Sequence, residues 1–178
     1  MTKVFGSMAV SLDGFIAAKN GDLSWLNSSM KAGEDYGLEK TLKRTGAYII
    51  GANTYKEMLK SGVPMGSSET LTYVVTHQKD LKPNKYTEIY QGDLKLLVKK
   101  IKAQIDKDIW VFGGGDLLTQ FIELDLLDEL GIAVMPVMLG DGVRLFGNLK
   151  DWKKLSLTDC KFFKSGIVLL NYTFPKSE

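Results

Sequence analysis

Short apolar runs alternate with helical patterns along most of the chain. Residues 3–11 predict a buried strand, with Val4, Phe5, Met8, Ala9 and Val10 apolar. Residues 12–17 and 19–26 read as turn and loop, rich in Asp, Gly and Asn. A helix is predicted over 34–44. Glu34 and Asp35 fall in its first turn, Glu39 and Lys43 pair at i,i+4, and Lys43 and Arg44 close it. Residues 47–51 form a short strand, followed by a helix over 55–60 that Asn53 or Thr54 would cap. Strands are predicted over 71–76 and 86–90. Asp93 then caps a helix whose face is Leu94, Leu97, Val98, Ile101 and Ile105. A strand over 109–112 runs into Gly113-Gly114-Gly115 and a helix carrying Leu117, Leu118, Phe121, Ile122 and Leu124. The ending differs. Residues 130–137 are a strand, and 155–163 and 167–174 are two more, joined as a hairpin by Lys164-Ser165-Gly166.

Strands that alternate with helices imply right-handed crossovers and a largely parallel sheet, whereas a hairpin pairs its strands antiparallel. The expectation is an α/β fold: a three-layer α/β/α sandwich on a mixed, mostly parallel sheet with a C-terminal antiparallel hairpin, as one domain over 1–178. Such sheets bind ligands outside the carboxyl ends of their parallel strands. The loops after residues 11, 51, 76 and 112 should therefore share one edge.

Composition narrows the chemistry. Net charge is +2, and no basic stripe argues for a nucleic-acid partner. No run of about 18 apolar residues argues for a membrane span, and the N-terminal residues lack a signal-peptide core. With a single cysteine, Cys160, no internal disulfide forms, and the expectation is a cytoplasmic protein. The single histidine, His77, excludes a multi-histidine metal site, and no metal is expected. No phosphate-loop lysine motif or zinc-protease motif occurs.

The three glycines carry the sharpest signal. A strand, a bare backbone turn and a helix N-terminus suit an anion such as the pyrophosphate of a nucleotide cofactor, because amides and the helix dipole both favour negative charge. The alternative is a tight turn with no ligand. Gly51-Ala52-Asn53-Thr54 repeats the same strand–turn–helix junction.

Several motifs occur together in order. They are Ser11-Leu12-Asp13-Gly14-Phe15-Ile16-Ala17, Gly51-Ala52-Asn53-Thr54-Tyr55, Val74-Val75-Thr76-His77, Val111-Phe112-Gly113-Gly114-Gly115, Leu127-Asp128-Glu129-Leu130 and Met138-Leu139-Gly140-Asp141-Gly142. With them the chain resembles the dihydrofolate reductase superfamily, and most the branch of the reductase domain of bacterial riboflavin biosynthesis. The resemblance implies a dihydrofolate reductase-like fold and NADPH as hydride donor. It implies that Gly113, Gly114, Gly115, Asp116 and Leu117 meet the pyrophosphate region, and that Gly51, Asn53 and Thr54 hold phosphates at the second junction. Thr76 and His77 would lie near the adenosine ribose, with Lys79 adding charge, and Ala9 and Ile16 would border the nicotinamide. His77 is otherwise a solvated loop residue.

The substrate implied is a small pyrimidine- or pterin-like heterocycle, whose reduction requires a proton. A carboxylic acid in an apolar pocket supplies one well. The candidates are Asp35 and Asp13, with Glu34 beside Asp35, and Glu129 near the substrate. Each has a plainer alternative: Asp13 in a turn with Gly14, Glu34 and Asp35 at a helix start, Glu129 as a solvated edge residue. Trp25 either covers a planar ligand or clasps its own loop. The histidine and arginine of the riboflavin-type branch are missing before the Gly-x-x-Thr strand, where Glu34-Asp35-Tyr36-Gly37-Leu38 stands instead. That argues against a ribosyl-phosphate substrate and leaves the heterocycle open. A non-catalytic NADPH-binding module is the alternative reading of the whole. A homodimer is expected only because two-fold dimers are common.

Overall fold

The computed structural model describes residues 1–78 and 80–175. The strands are β1 (Val4–Ser11), β2 (Phe15–Ala18), β3 (Thr45–Gly51), β4 (Leu71–Val75), β5 (Thr87–Tyr90), β6 (Asp108–Gly113), β7 (Glu129–Met135), β8 (Gly142–Arg144), β9 (Ser156–Phe162) and β10 (Val168–Thr173). The helices are α1 (Trp25–Ser28), α2 (Leu38–Arg44), α3 (Ala52–Lys60), α4 (Leu94–Lys102) and α5 (Gly115–Glu123).

Eight strands form one sheet in the order β5-β4-β3-β6-β1-β7-β10-β9. From β5 to β7 every neighbouring pair is parallel. β10 runs antiparallel to both β7 and β9. The expected mixed sheet with a terminal hairpin is what forms. Period-two alternation sorts the strand residues onto two faces. On one face Val4, Val10, Ile49, Tyr73, Ile109 and Val111 pack with Leu97 and Ile101 of α4 and with Leu118 and Phe121 of α5. On the other, Ile50 and Val74 pack with Ala52 and Tyr55 of α3. Helices on both faces complete the three layers. Among the described residues no helix is long and apolar enough to cross a membrane.

Two local readings change. The helix expected over 34–44 begins only at Leu38. Gly37 before it takes a φ of +83°, and Asp35 Oδ1 accepts the amides of Gly37 and Leu38 in a turn of its own. The second is β2, within a stretch that reads as turn and loop, together with its partner β8. As strands they pair only with each other, in a small antiparallel ribbon apart from the main sheet. Local sequence carries little trace of a pairing between segments so far apart.

Candidate active site

The parallel strands β1, β3, β4 and β6 all end on the same edge, so the loops after residues 11, 51, 76 and 112 lie along it as expected. At the middle of this edge two helices start side by side. β3 runs directly into α3, and β6 reaches α5 through Gly114. The N-cap of α3 is Gly51 and that of α5 is Gly114, and neither helix receives a side-chain cap. A Cβ on Gly51 would stand 3.7 Å from the Gly113 carbonyl oxygen and from the Gly114 nitrogen. A Cβ on Gly114 would stand 3.2 Å from Thr54 Oγ1. The Gly113–Gly114 peptide is cis.

The first amides of a helix have no partner within it. In α4 that vacancy is filled, because Asp93 Oδ1 accepts from the amides of Lys95 and Leu96. In α3 and α5 no side chain does this, and the two open N-termini abut. Their dipoles present positive ends to the same place. Asn53 and Thr54 are not the caps expected of them. They stand inside the first turn of α3, with Asn53 exposed.

Not every residue of the β6–α5 junction is free for a ligand. A Cβ on Gly115 would meet the carbonyl oxygens of Arg144 at 2.4 Å and Leu145 at 2.7 Å. The chain's own 144–145 backbone therefore occupies that approach. The Leu117 side chain is buried in the core, which leaves its amide as the group available to a ligand. Asp116 is exposed in the first turn of α5.

Toward the β4 side of the junctions, Thr76 is buried. Its amide donates to the Tyr90 carbonyl, and its Oγ1 accepts from the Gln78 amide. His77 is exposed on this turn. Lys56 of α3 donates from Nζ to Gln78 Oε1 at 2.6 Å, which places a cation beside the turn. Lys56 was not among the candidates read from sequence. Its signal was available, since it follows Asn53 by three residues and so shares its helix face. Lys79, expected to add charge here, lies outside the described residues.

Toward β1 the sheet floor is thinly covered. Ser7, Met8 and Ala9 of the central strand are only half-buried, as are Ala133 of β7 and Phe112 and Tyr48 beside them. Small side chains, Ser7 and Ala9 against Gly131 and Ala133, leave a trough on one face of the sheet. Tyr48 and Phe112 meet edge to face at 5.9 Å, and Phe112 also touches Trp110. Tyr48 is partly desolvated, and burial pushes its phenol pKa up. Ile16 is half-buried on β2, packed on the core of the α4/α5 face. Phe112 and Tyr48 were not read as site residues, because strand periodicity does not tell a half-open aromatic from a core one.

The four acids and the tryptophan fare differently from expectation. Asp13 is a clamp. Its Oδ1 accepts from Ser11 Oγ at 2.6 Å, and its carboxylate also accepts the amides of Leu139 and Gly140, tying the 11–14 turn to the 137–140 loop. These bonds, with the Ser11 hydroxyl foremost, hold its pKa down at about 2. A carboxylate so held has no proton to deliver near neutrality. Asp35 is exposed and engaged in its own turn before α2, rather than enclosed in an apolar pocket. Glu34 accepts from the Tyr36 hydroxyl, which lowers its pKa.

Glu129 is at the wrong end of the sheet. It opens β7 and pairs in register with Phe5, at the edge opposite the glycine turns. Lys3 and Arg44 both bond to it, and Arg44 also reaches Asp108 and lies 3.7 Å above the Phe5 ring. Burial alone would raise the Glu129 pKa, but the two cations outweigh it and hold it low. Trp25 is 8% exposed and forms a small core with Met135 and Ile167, against which Ala9 and Ala133 also pack. It borders the trough from inside the fold rather than covering it as a lid.

The chain belongs to the RibD C-terminal domain family, which matches residues 2–169. It is 32% identical over 163 residues to the uncharacterized protein YwjB of Bacillus subtilis (strain 168), covering 91% of this chain and 92% of that one. Among solved structures it is similar to a Shewanella sp. PV-4 protein named for riboflavin biosynthesis, with a TM-score of 0.88, 26% identity, and coverage of 99% and 100%. The fold also matches the Thermotoga maritima diaminohydroxyphosphoribosylaminopyrimidine deaminase/5-amino-6-(5-phosphoribosylamino)uracil reductase. There the TM-score is 0.70 at 18% identity, over 98% of this chain and 57% of that longer one. Dihydrofolate reductase from Enterococcus faecalis, complexed with NADP(H), matches with a TM-score of 0.70 at 15% identity, over 98% and 97%. The fold is thus dihydrofolate reductase-like.

Proposed function

We propose that this protein is an NADPH-dependent reductase of a small pyrimidine- or pterin-like heterocycle. The observation that carries the reading is the pair of glycine-capped helix N-termini that abut at the centre of the sheet edge. Two open sets of amides, each behind a glycine cap, fit a pyrophosphate. Membership of a reductase-type family supports it. So does the fold shared with a reductase bound to NADP(H) and with an aminopyrimidine-acting enzyme.

In this reading Gly51, Gly113, Gly114 and the amides of Asn53, Thr54, Asp116 and Leu117 hold the phosphates. Gly115 packs the turn. Thr76, His77 and Lys56 face the adenosine end, where Lys56 supplies the charge that a 2′-phosphate needs. Ala9 and Ile16 border the nicotinamide. Bound NADPH would supply a hydride. The heterocycle lies over the trough of Ser7, Ala9 and Ala133, with Phe112 and Tyr48 offering ring faces to a planar ligand. Asp13 positions the 11–14 and 137–140 loops. With Asp13 and Glu34 held ionised and Asp35 in solvent, the proton comes from water.

The test is titration of the purified protein with NADPH and with NADH, read by nicotinamide fluorescence and thermal shift. NADPH at 100 times its dissociation constant should stabilise by about 2.7 kcal/mol. Aminopyrimidines and dihydropterins are then screened for oxidation of the bound cofactor. Absence of any binding would end the reading. A second reading is an NADPH-binding module without turnover. The engagement of Asp13, Asp35, Glu34 and Glu129 elsewhere favours it. Tight NADPH binding with no oxidation by any heterocycle would decide for it.

A further inference from the structure

Three strands meet in register on the face of the sheet that carries the trough. Ser7 of β1 pairs with Gly131 of β7, and Gly131 pairs with Asn171 of β10. Residues in register share a face, so the Ser7 and Asn171 side chains rise on either side of a bare glycine. A Cβ on Gly131 would stand 3.1 Å from Asn171 Oδ1 and 3.4 Å from Ser7 Oγ. The two polar groups therefore converge on one place above Gly131. Both residues are half-buried, and among the described residues neither side chain has a hydrogen-bond partner.

Polar side chains drawn away from water are ordinarily paired. What is fixed at Asn171 is its backbone. The pairing of β10 with β9 shifts here, since Asn171 lies opposite Asp159 and Tyr172 opposite Leu157. The extra residue, Thr158, donates from Oγ1 to the Asn171 carbonyl at 3.0 Å. Bulges of this kind recur beside active sites, where they re-aim a side chain. On the other side of Ser7, β6 sets Phe112 in the same row, because Gly6 pairs with Val111. At about 4.8 Å per strand, the row from Phe112 to Asn171 spans about 14 Å, enough for a planar ring system. Asp159, next in the row beyond Asn171, stands exposed on the outer strand.

The chemistry of the two groups selects the edge of a ligand. A carboxamide offers an acceptor and donors side by side, and a hydroxyl offers either. That set matches a neutral lactam, whose N–H and C=O are also adjacent. It mismatches an amidinium edge, such as that of a protonated 2,4-diaminopyrimidine, which presents donors only and sets one N–H against the carboxamide N–H. We propose that Asn171 and Ser7 read the polar edge of the substrate, and that the protein takes the oxo, lactam form of a heterocycle in preference to its diamino counterpart. This rests on the reductase reading above, and it names the groups that tell one heterocycle from another.

The experiment uses the full chain saturated with NADP⁺, so that no turnover intervenes. NADP⁺ affinity is measured first on every sample. Calorimetry then measures binding of two matched pairs, uracil with 2,4-diaminopyrimidine and pterin with 2,4-diaminopteridine. In the wild type the oxo member of at least one pair should bind about tenfold tighter than its diamino partner, or more. Asn171→Leu should remove that preference. Asn171→Asp should reverse it, because a carboxylate accepts from both donors of an amidinium. Ser7→Ala should weaken the oxo compound about tenfold. All three variants should keep the wild-type NADP⁺ affinity, which serves as the fold control. A merely structural Asn171 would lower every affinity together and reverse nothing. A wild type that binds NADP⁺ but binds or prefers neither member of either pair overturns this inference alone. So does a preference that survives in both Asn171 variants. A wild type that does not bind NADP⁺ overturns the reductase reading, and this inference with it.

Discussion

Gly114 caps one helix and Thr54 stands in the first turn of another, and a Cβ on Gly114 would lie 3.2 Å from Thr54 Oγ1. The two helix N-termini are in contact, so whatever binds one must also meet the other. Gly114 has a φ of −74°, which an alanine adopts without backbone penalty. Gly114→Ala should therefore fold with little loss of melting temperature. Its methyl narrows the bare approach, and NADPH affinity should fall about tenfold, or about 1.4 kcal/mol. Fluorescence titration beside a melting curve checks both parts. Unchanged affinity would remove the junction from the cofactor site.

Gly115 is the contrasting case. Its missing side chain makes room for the carbonyls of Arg144 and Leu145, and backbone cannot swing aside as a flexible side chain can. Gly115→Ala should cost about 1–3 kcal/mol by overpacking, despite the better helix propensity of alanine. Urea unfolding measures it. Stability equal to the wild type would mean that the 142–147 segment yields easily.

Lys56 sits 2.6 Å from Gln78 Oε1 at the β4 end of the cleft. Lys56→Ala should weaken NADPH about tenfold while leaving NADH nearly unchanged, since only the former carries a 2′-phosphate. Equal losses for both cofactors would show that Lys56 merely supports the turn.

Asp13 makes an acid-stability prediction. Its folded pKa, about 2, lies below the ordinary 3.8. A depressed carboxyl stabilises the fold above its unfolded pKa, and that contribution disappears as pH falls through the folded value. The wild type should therefore lose stability between about pH 4 and pH 2, and Asp13→Asn should show a shallower loss across that window. Its melting temperature at neutral pH should be lower, because the ionised acceptor of the Leu139 and Gly140 amides is gone. Parallel slopes for the two proteins would mean that the clamp is not ionic.

Glu129 separates stability from function. Replacing it with alanine leaves Arg44 and Lys3 without their shared acceptor at the edge opposite the cleft. The partly exposed network should lose about 1–2 kcal/mol, with cofactor affinity unchanged. A loss of NADPH affinity at equal stability would return Glu129 to the site.

Much of the fold was legible before any coordinates. The order of strands and helices, the parallel run, the final hairpin and the Asp93 cap all follow from periodicity and local capping chemistry, which operate within a few residues. The glycines at 51 and 113–115 marked the edge where two helices start side by side for the same reason: a strand that stops at bare backbone and restarts as a helix is a local event. What a residue faces across the sheet is not local. Asp13 as a clamp depends on the 137–140 loop arriving beside it. Glu129 belongs to the far edge because β7 runs parallel to β1, and Trp25 is buried because Met135 and Ile167 close over it. The contact between Gly114 and Thr54 exists only because β3 and β6 are neighbours in a sheet whose order differs from the order of the chain. Sequence determined which pieces this protein is made of and where its backbone is bare. Only the tertiary structure decided which charges those pieces bring together, because strand order is settled by packing over the whole sheet.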